Sequence, residues 1–390
     1  MSSLRRSVAV LTAAATTLVI TAPSHAATAA ATQVCAGVNT PVIVGTPHPD
    51  TALNAAFADY QNDRTDPSHW TGADAVYSAP MPDGSDVFLF ADTFLGTVNP
   101  DGSRSPTVSD GGTTPFINNS FVKWNARGFS TITGGTAADP EAQLPPPDST
   151  HWYWTRDGMV LNGTLNVLYA EYKRTGTGAW DFAWDRNVVA RFAPGHLEQP
   201  IDVTQVPSAA NIQWGAWLTR AGDYTYVYGS EDLGAHKYMH VARVNGTDLR
   251  KPWQFLAADG SWSPTESASA RVNGDGGTSV DVSNEFSVVK HGKVYVLESS
   301  LSLDPNIYLS YSCSPTGPFV GRTAVFSTPE FGATGTYGNP NVFTYNSHEH
   351  PELGSDGTLV VSYSVNSFAN TDLYKDASIY RPRFADITLG

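Results

Sequence analysis

Residues 74–94, DAVYSAPMPDGSDVFLFADTF, contain two apolar stretches that are separated by a turn at Asp83-Gly84. Short runs of aromatic and β-branched residues on either side of a glycine-containing turn are typical of a β-hairpin. Successive side chains of a strand point to opposite faces, so Val76 and Tyr77 lie on different faces of this hairpin. Because apolar residues occupy both faces, the hairpin must be covered on both sides.

Four further passages repeat this arrangement of strand, tight turn and strand. Each unit also contains a later strand candidate, such as Asn187 to Phe192, and radially stacked sheets cover both faces of every strand. The pattern therefore predicts an all-β protein, a five-bladed β-propeller with four-stranded antiparallel blades, and a pair of β-sandwiches is the competing fold. A strand from Pro41 to Val44 is expected to complete the last blade, whose hairpin is predicted to have strands from Pro351 to Leu353 and from Thr358 to Val365. The turns of the four further hairpins are Asn162-Gly163, Ala221-Gly222, His291-Gly292 and Asp356-Gly357.

The composition of the 390 residues excludes several classes of protein. Hydrophobic residues make up 41% and charged residues 15%, and the chain has 34 Gly and 26 Pro, which argues against both a disordered chain and a helical bundle. The formal charge of -14 argues against nucleic acid or an anionic membrane as a partner, because either would meet a surface of like sign. A neutral substrate fits better, and the protein is expected to act as a monomer.

The N-terminus has the features of an export signal. Arg5 and Arg6 precede an apolar stretch that ends in the small-x-small sequence Ser24-His25-Ala26. This pattern predicts a cleaved signal peptide at residues 1–26, a single propeller domain at 27–390, and a secreted, extracellular protein.

The two cysteines are consistent with export. In an oxidising compartment, Cys35 and Cys313 are expected to form one structural disulfide. Two free buried thiols are the alternative.

Two aspartates of the first hairpin are the candidate catalytic residues. Facing residues of this hairpin have numbers that sum to about 166, and Asp74 and Asp92 meet that condition. Like charges placed opposite each other destabilise a strand pair, but they also raise the pKa of one carboxyl group and leave the other ionised. Hydrolysis of a glycosidic bond requires such a proton donor and acceptor. Capping of a loop or binding of a structural cation is the alternative role.

Other acidic and histidine residues are weaker candidates. Glu285 and Glu298 are predicted to face each other across the His291-Gly292 turn, which would bring Glu285 to the same end of the blades. His348 and His350 resemble metal ligands in composition, but the proline that follows them excludes the helix that aligns such ligands in zinc proteases. No metal and no cofactor is therefore expected.

Five segments together resemble a known family. They are similar to the five-bladed propeller endo-D-arabinanases of glycoside hydrolase family 183, which attack the D-arabinan of mycobacterial-type cell walls. The resemblance implies catalytic roles for two first-blade aspartates, which correspond to Asp74 and Asp92. The segments are Trp70-Thr-Gly-Ala-Asp-Ala-Val-Tyr-Ser78, Leu89-Phe-Ala-Asp-Thr-Phe-Leu-Gly96, Asn118-Asn-Ser-Phe121, His350-Pro-Glu-Leu353 and Ile379-Tyr-Arg-Pro-Arg-Phe384.

The resulting hypothesis is a secreted glycoside hydrolase that cleaves a furanoside-rich polysaccharide, most closely an arabinan of the cell wall. The alternatives are a non-catalytic, lectin-like propeller and a surface interaction module. Five residues are predicted to contact the substrate: Asn119, Asp157, Glu285, His350 and Arg381.

Overall fold

Five antiparallel sheets make up most of the chain in the computed structural model, which describes residues 33–178, 181–355 and 357–390. The predicted signal peptide lies outside the described residues. In each of the five sheets, numbered 1 to 5 in chain order, neighbouring strands are joined by hydrogen bonds in antiparallel pairs. The all-β prediction is confirmed.

Sheet 3 has five strands rather than the predicted four. In their spatial order, the strands of sheet 1 are Tyr77–Pro80, Asp86–Phe90, Ser120–Asn125 and Gly128–Ile132; those of sheet 2 are His151–Leu161, Thr164–Arg174, Phe182–Phe192 and Asp202–Gln205; those of sheet 3 are Ile212–Ala221, Tyr224–Asp232, Lys237–Asn245, Trp253–Leu256 and Trp262–Ser263; those of sheet 4 are Ser287–His291, Val294–Ser300, Asn306–Ser312 and Val320–Ser327; those of sheet 5 are Val342–Glu349, Thr358–Ser367, Arg383–Leu389 and Ile43–Pro49.

Smaller elements complete the described fold. A helix, Thr51–Gln61, begins at Asp50, whose carboxylate accepts the N–H groups of Ala52 and Leu53 at 2.9 Å. A second helix spans Asn370–Lys375. The remaining elements are a three-stranded sheet of Trp70–Ala73, Thr93–Leu95 and Phe116–Ile117, two-stranded sheets of Gln33–Cys35 with Val38–Asn39 and of Gly134–Thr136 with Asp139–Glu141, and 3-10 turns at Val108–Asp110, Glu266–Ala268 and Asp275–Gly277.

The first strands of the five sheets lie next to one another. The first strand of sheet 2 contacts the first strands of sheets 1 and 3. The first strand of sheet 4 contacts the first strands of sheets 3 and 5. Sheets 5 and 1 are joined by the backbone N–H of Ala75, which donates to the hydroxyl of Ser364 at 3.3 Å. At their centre, the hydroxyl of the fully buried Tyr77 donates to the carbonyl of Ala216 in sheet 3 at 3.0 Å, and its ring stacks on His348 of sheet 5 at 4.2 Å.

A bend recurs in several of the first strands. The pairing register shifts between Thr155 and Gly158 in sheet 2, between Trp214 and Trp217 in sheet 3, and between Tyr345 and His348 in sheet 5. A bulge of this kind bends a strand and redirects its side chains. Sequence alternation does not reveal it, because the extra residue interrupts the period of two.

The N-terminal strand and the disulfide agree with expectation. Ile43–Pro49 pairs with Arg383–Leu389, so the start of the described chain completes sheet 5. Cys35 and Cys313 form a disulfide.

Two predicted hairpins differ from the structure. The first strand of sheet 5 is Val342–Glu349, and Pro351–Leu353 forms turns instead, since Pro351 lacks the N–H that a strand pair needs. In sheet 4 the turn residues are Gly292 and Lys293, so Glu298 faces Ser287 and not Glu285. The prediction that the two glutamates face each other was wrong, because the glycine takes the first position of the turn.

Glu298 is fully buried, and its Oε1 has no hydrogen-bond partner. Burial raises its pKa from 4.5 to about 8. Because the folded protein holds this proton more tightly than the unfolded chain does, the raised pKa contributes stability at pH values below the pKa of the unfolded chain. This contribution is lost as the pH rises from about 4.5 to about 8.

We therefore expect Glu298→Gln to raise the melting temperature at pH 8 by about 2–4 °C and to leave it nearly unchanged at pH 5. Glu198→Gln, at an exposed position, is the matched control. Thermal unfolding at the two pH values checks the prediction, and an equal change at both would contradict it.

No helix of the described part of the chain is long and apolar enough to cross a membrane.

Candidate active site

Asp74 and Asp92 lie opposite each other where the first hairpin opens into the three-stranded sheet. The N–H of Asp74 donates to the carbonyl of Asp92 at 3.3 Å, and the N–H of Ala91 donates to the carbonyl of Asp74 at 3.0 Å. Ala75, the residue after Asp74, has a φ of 53°, which bends the chain at this point. The backbone pairing expected for the two aspartates is confirmed, whereas their role in catalysis stays a prediction.

Asp74 is a partly exposed residue whose Oδ1 is buried and whose carboxylate is held by tyrosines. Its Oδ2 accepts a hydrogen bond from the hydroxyl of Tyr345 at 2.5 Å. Its Oδ1 has no partner of good hydrogen-bond geometry, although the nearby hydroxyl of Tyr380 still favours the ionised form. Burial outweighs these hydrogen bonds and raises the pKa of Asp74 to about 6.

The Asp92 carboxylate, also partly exposed, is held by two donors from different parts of the chain. Its Oδ1 accepts hydrogen bonds from Asn118 Nδ2 at 2.9 Å and from Trp154 Nε1 at 2.7 Å. Burial, followed by the negative charge of Asp74, raises its pKa to about 7. Because each charge disfavours the other, the pair retains a proton at a pH where an isolated aspartate is ionised.

Glu285 is a third carboxyl group near this pair. It is buried, its Oε1 accepts a hydrogen bond from Asn346 Nδ2 at 2.9 Å, and its Oε2 has no partner. Burial raises its pKa to about 8 although the charge of Arg156 lowers it, and the charge of Asp74 adds to the increase. Glu285 is therefore protonated at neutral pH.

His348 lies beside Glu285, with 3.8 Å between Nδ1 and Oε2. Neither ring nitrogen has a hydrogen-bond partner of good geometry, and burial lowers its pKa to about 4. The imidazole is thus neutral beside a neutral carboxyl group, and this pair carries no charge to the site at neutral pH.

Two of the predicted substrate contacts are used inside the fold. The Asn119 side chain is fully buried and binds the backbone of Leu144 and the carbonyl of Tyr153. Asp157 is buried and accepts the N–H of Leu218 at 2.6 Å, which joins sheets 2 and 3. The side chains of Asn119 and Asp157 therefore hold strands in position and do not face solvent.

Two more of the predicted contacts bind other groups of the fold. His350 is fully buried between Ser78, at 2.5 Å, and Ser362, at 2.8 Å. Arg381 donates to Gln61 of the first helix at 3.0 Å. Of the five predicted contacts, the structure brings only Glu285 near Asp74.

The residues that bind the side chains of Asp74 and Asp92 were not predicted to do so, although the sequence carries a signal for some of them. Asn118 and Tyr380 each immediately precede a predicted contact in a segment that carries the resemblance, and Trp154 belongs to an aromatic run. Tyr345 had no local signal, because it reaches Asp74 from 271 positions along the chain.

One group of side chains in the described part of the chain has the composition of a metal site. Ligand atoms of His151, Glu171 and Asp185 lie within 4.8 Å of one another. However, Lys173 and Arg186 already contact Asp185 at 2.7 and 2.8 Å, so its charge is compensated without an ion.

Two surface cavities lie elsewhere. One of about 540 Å³ is lined by the first helix and sheet 1, and one of about 260 Å³ by loops of sheets 2 and 3. Neither is lined by Asp74 or Asp92.

The fold and the site define an all-β protein in which side chains from sheets 2 and 5 hold a pair of aspartates next to sheet 1. The chain belongs to the family described as a domain of unknown function, DUF5005, whose model matches residues 55–388. No curated protein matches it.

A solved structure shares the fold, and two others align with most of the chain at lower similarity. A Bacteroides ovatus protein proposed to be a hydrolase is 20% identical, with a TM-score of 0.72, over 87% of this chain and 90% of that chain. The GH43_1 enzyme from Xanthomonas citri in complex with xylose is 14% identical, with a TM-score of 0.45, over 87% and 93% of the two chains. A GH43 β-xylosidase/α-arabinofuranosidase from a compost metagenome is 14% identical, with a TM-score of 0.44, over 83% and 94%.

Proposed function

We propose that this protein is a five-bladed β-propeller glycoside hydrolase in which Asp74 and Asp92 together supply the acid and the base. The five sheets are its blades, since their first strands contact one another in chain order and sheet 5 hydrogen-bonds to sheet 1. Secretion, which follows from the predicted signal peptide, is part of the same proposal.

The pairing of the two aspartates across one hairpin, with neutral donors on both carboxyl groups, is the observation that carries the proposal. Burial raises the pKa of both aspartates, so a proton that one of them retains near neutral pH supplies a donor for the leaving oxygen, while the other is an acceptor that activates water or attacks the sugar. Burying carboxyl groups is costly, and a salt bridge to a cation is the usual compensation. Instead, Asn118, Trp154 and Tyr345 hold the aspartate pair through neutral donors.

We propose a furanoside-rich polysaccharide as the substrate, with D-arabinan as the first to test. This choice rests on the sequence segments that resemble the endo-D-arabinanases, two of which contain the aspartates. A neutral polymer also suits a chain with a formal charge of -14.

The test is to incubate the purified protein with arabinogalactan, arabinans and other glycans and to measure released oligosaccharides. Release by the wild type, and its loss in Asp74→Asn and Asp92→Asn, is the expected result. Binding without release across the panel would overturn the proposal in favour of a lectin.

The pH dependence follows from the pair. Below about pH 6 both carboxyl groups are protonated and the base is lost, whereas above about pH 7 both are ionised and the acid is lost. We therefore expect a bell-shaped profile of kcat/KM with its maximum between these values.

Tyr345→Phe removes a hydrogen bond to the ionised form of Asp74, so the pKa of Asp74 should rise further. We expect the acidic limb of the profile to move to higher pH by about one unit. Tyr374→Phe is the matched control, since that hydroxyl donates to Asp110 at the same 2.5 Å away from the pair. An unchanged acidic limb in Tyr345→Phe would contradict the assignment of Asp74.

A further inference from the structure

An aromatic pair, exposed at Phe368 and buried at Phe343, lies on the side of the site that Tyr345 connects to Asp74. Phe368 follows the second strand of sheet 5, is 53% exposed, and stacks on Phe343 with ring centroids 4.4 Å apart. The Phe343 ring lies 5.2 Å from that of Tyr345. An aromatic path therefore leads from Asp74 to solvent.

Polar groups accompany this pair. Asn366 lies directly opposite Phe343 in sheet 5, is partly exposed, and donates to the hydroxyl of Tyr345 at 3.3 Å. An aromatic face next to an amide is suited to a sugar ring, because the ring face attracts the weakly positive C–H groups while the amide binds hydroxyls. A single exposed phenylalanine on a protein surface needs no explanation. Phe368 does need one, because ring contacts connect it to a carboxylate site.

A second aromatic cluster lies on the side of Asp92. Trp154 donates to Asp92, and its ring lies 4.3 Å from Tyr172 and 5.8 Å from Trp152. Trp152 is more than nine-tenths buried, yet its indole N–H has no hydrogen-bond partner, and the same holds for the N–H of Trp184. Both N–H groups are closed to solvent, whereas Trp154 is partly exposed, so Trp154 is the ring of this cluster that a sugar can reach.

We propose that Asp74 and Asp92 divide one carbohydrate-binding face, with Phe368 binding a sugar ring on one side and Trp154 binding one on the other. This inference rests on the proposed function and deepens it. The ligand is then a chain of several neutral sugar residues that extends to both sides of the carboxyl pair, rather than a single terminal sugar.

The test compares Phe368→Ala with the wild type on a long and a short form of whichever glycan the protein cleaves. We expect KM for the long oligosaccharide to rise about 3- to 10-fold, and kcat/KM for an aryl glycoside of one sugar to stay unchanged. Ile201→Ala is the matched control, because Ile201 is also 53% exposed but lies next to the outer strand of sheet 2.

A binding measurement tests the second half of the face. In Asp74→Asn protein, the long oligosaccharide should protect tryptophan fluorescence from quenching by acrylamide. In the double variant that also carries Phe368→Ala, the oligosaccharide concentration needed for this protection should rise by a factor similar to the rise in KM. If the glycan is cleaved but Phe368→Ala leaves its KM unchanged, or if binding gives no protection, the binding face is refuted and the hydrolase proposal stands. If no glycan is cleaved or bound, both are refuted.

Discussion

Replacing Asp92 by asparagine is expected to lower kcat on the cleaved glycan by about 10²–10⁴-fold, with a similar loss for Asp74→Asn. Asparagine preserves the shape of the side chain and can still accept the hydrogen bonds from Asn118 and Trp154, but it neither donates nor accepts the catalytic proton. The loss should therefore appear without a loss of folding. Initial rates and thermal unfolding of both variants check this.

Asp86→Asn is the matched control for these variants. Asp86 lies on the same hairpin, is partly exposed, and also has a raised pKa from burial, but it is at the turn end of its strand. We expect it to keep most of the activity. Asp74→Asn or Asp92→Asn protein that retains more than about a tenth of the wild-type rate would remove the pair from the mechanism.

Removal of the disulfide should have the largest effect on stability. The bond joins Cys35 to Cys313, which are 278 positions apart, so it greatly restricts the unfolded chain. We expect the double variant Cys35→Ser with Cys313→Ser to lose about 2–5 kcal/mol of unfolding free energy.

Urea unfolding with and without a reductant measures this effect. The wild type should unfold at lower urea when reduced, whereas the double variant should not respond to the reductant. Equal midpoints for the oxidised wild type and the double variant would show that sheet 5, which contains strands from both ends of the described chain, is held without the bond.

Local features were predicted well where a turn controlled them. The pairing of Asp74 with Asp92 follows from the turn at Asp83-Gly84, because only a few residues separate each aspartate from it. The same reasoning was wrong for Glu298, since the position of Gly292 within its turn cannot be read from composition and sets the register of the whole hairpin.

Hydrogen-bond partners depend on details finer than a pattern. Asn118 and Asn119 are adjacent and chemically identical, yet Asn118 binds Asp92 and Asn119 binds the backbone. Both lie in the link between the strands Phe116–Ile117 and Ser120–Asn125, where the local bend of the backbone and not strand alternation sets the direction of each side chain.

From its own amino acids, this chain determines that it forms β-strands and tight turns, that two cysteines are available to join distant segments, and that two aspartates meet across one hairpin. These are consequences of short-range sterics, alternation and turn chemistry. Which groups surround the aspartates was decided only by the tertiary structure, because Tyr345 and Trp154 come from other sheets, and packing between sheets depends on the shapes of many side chains at once.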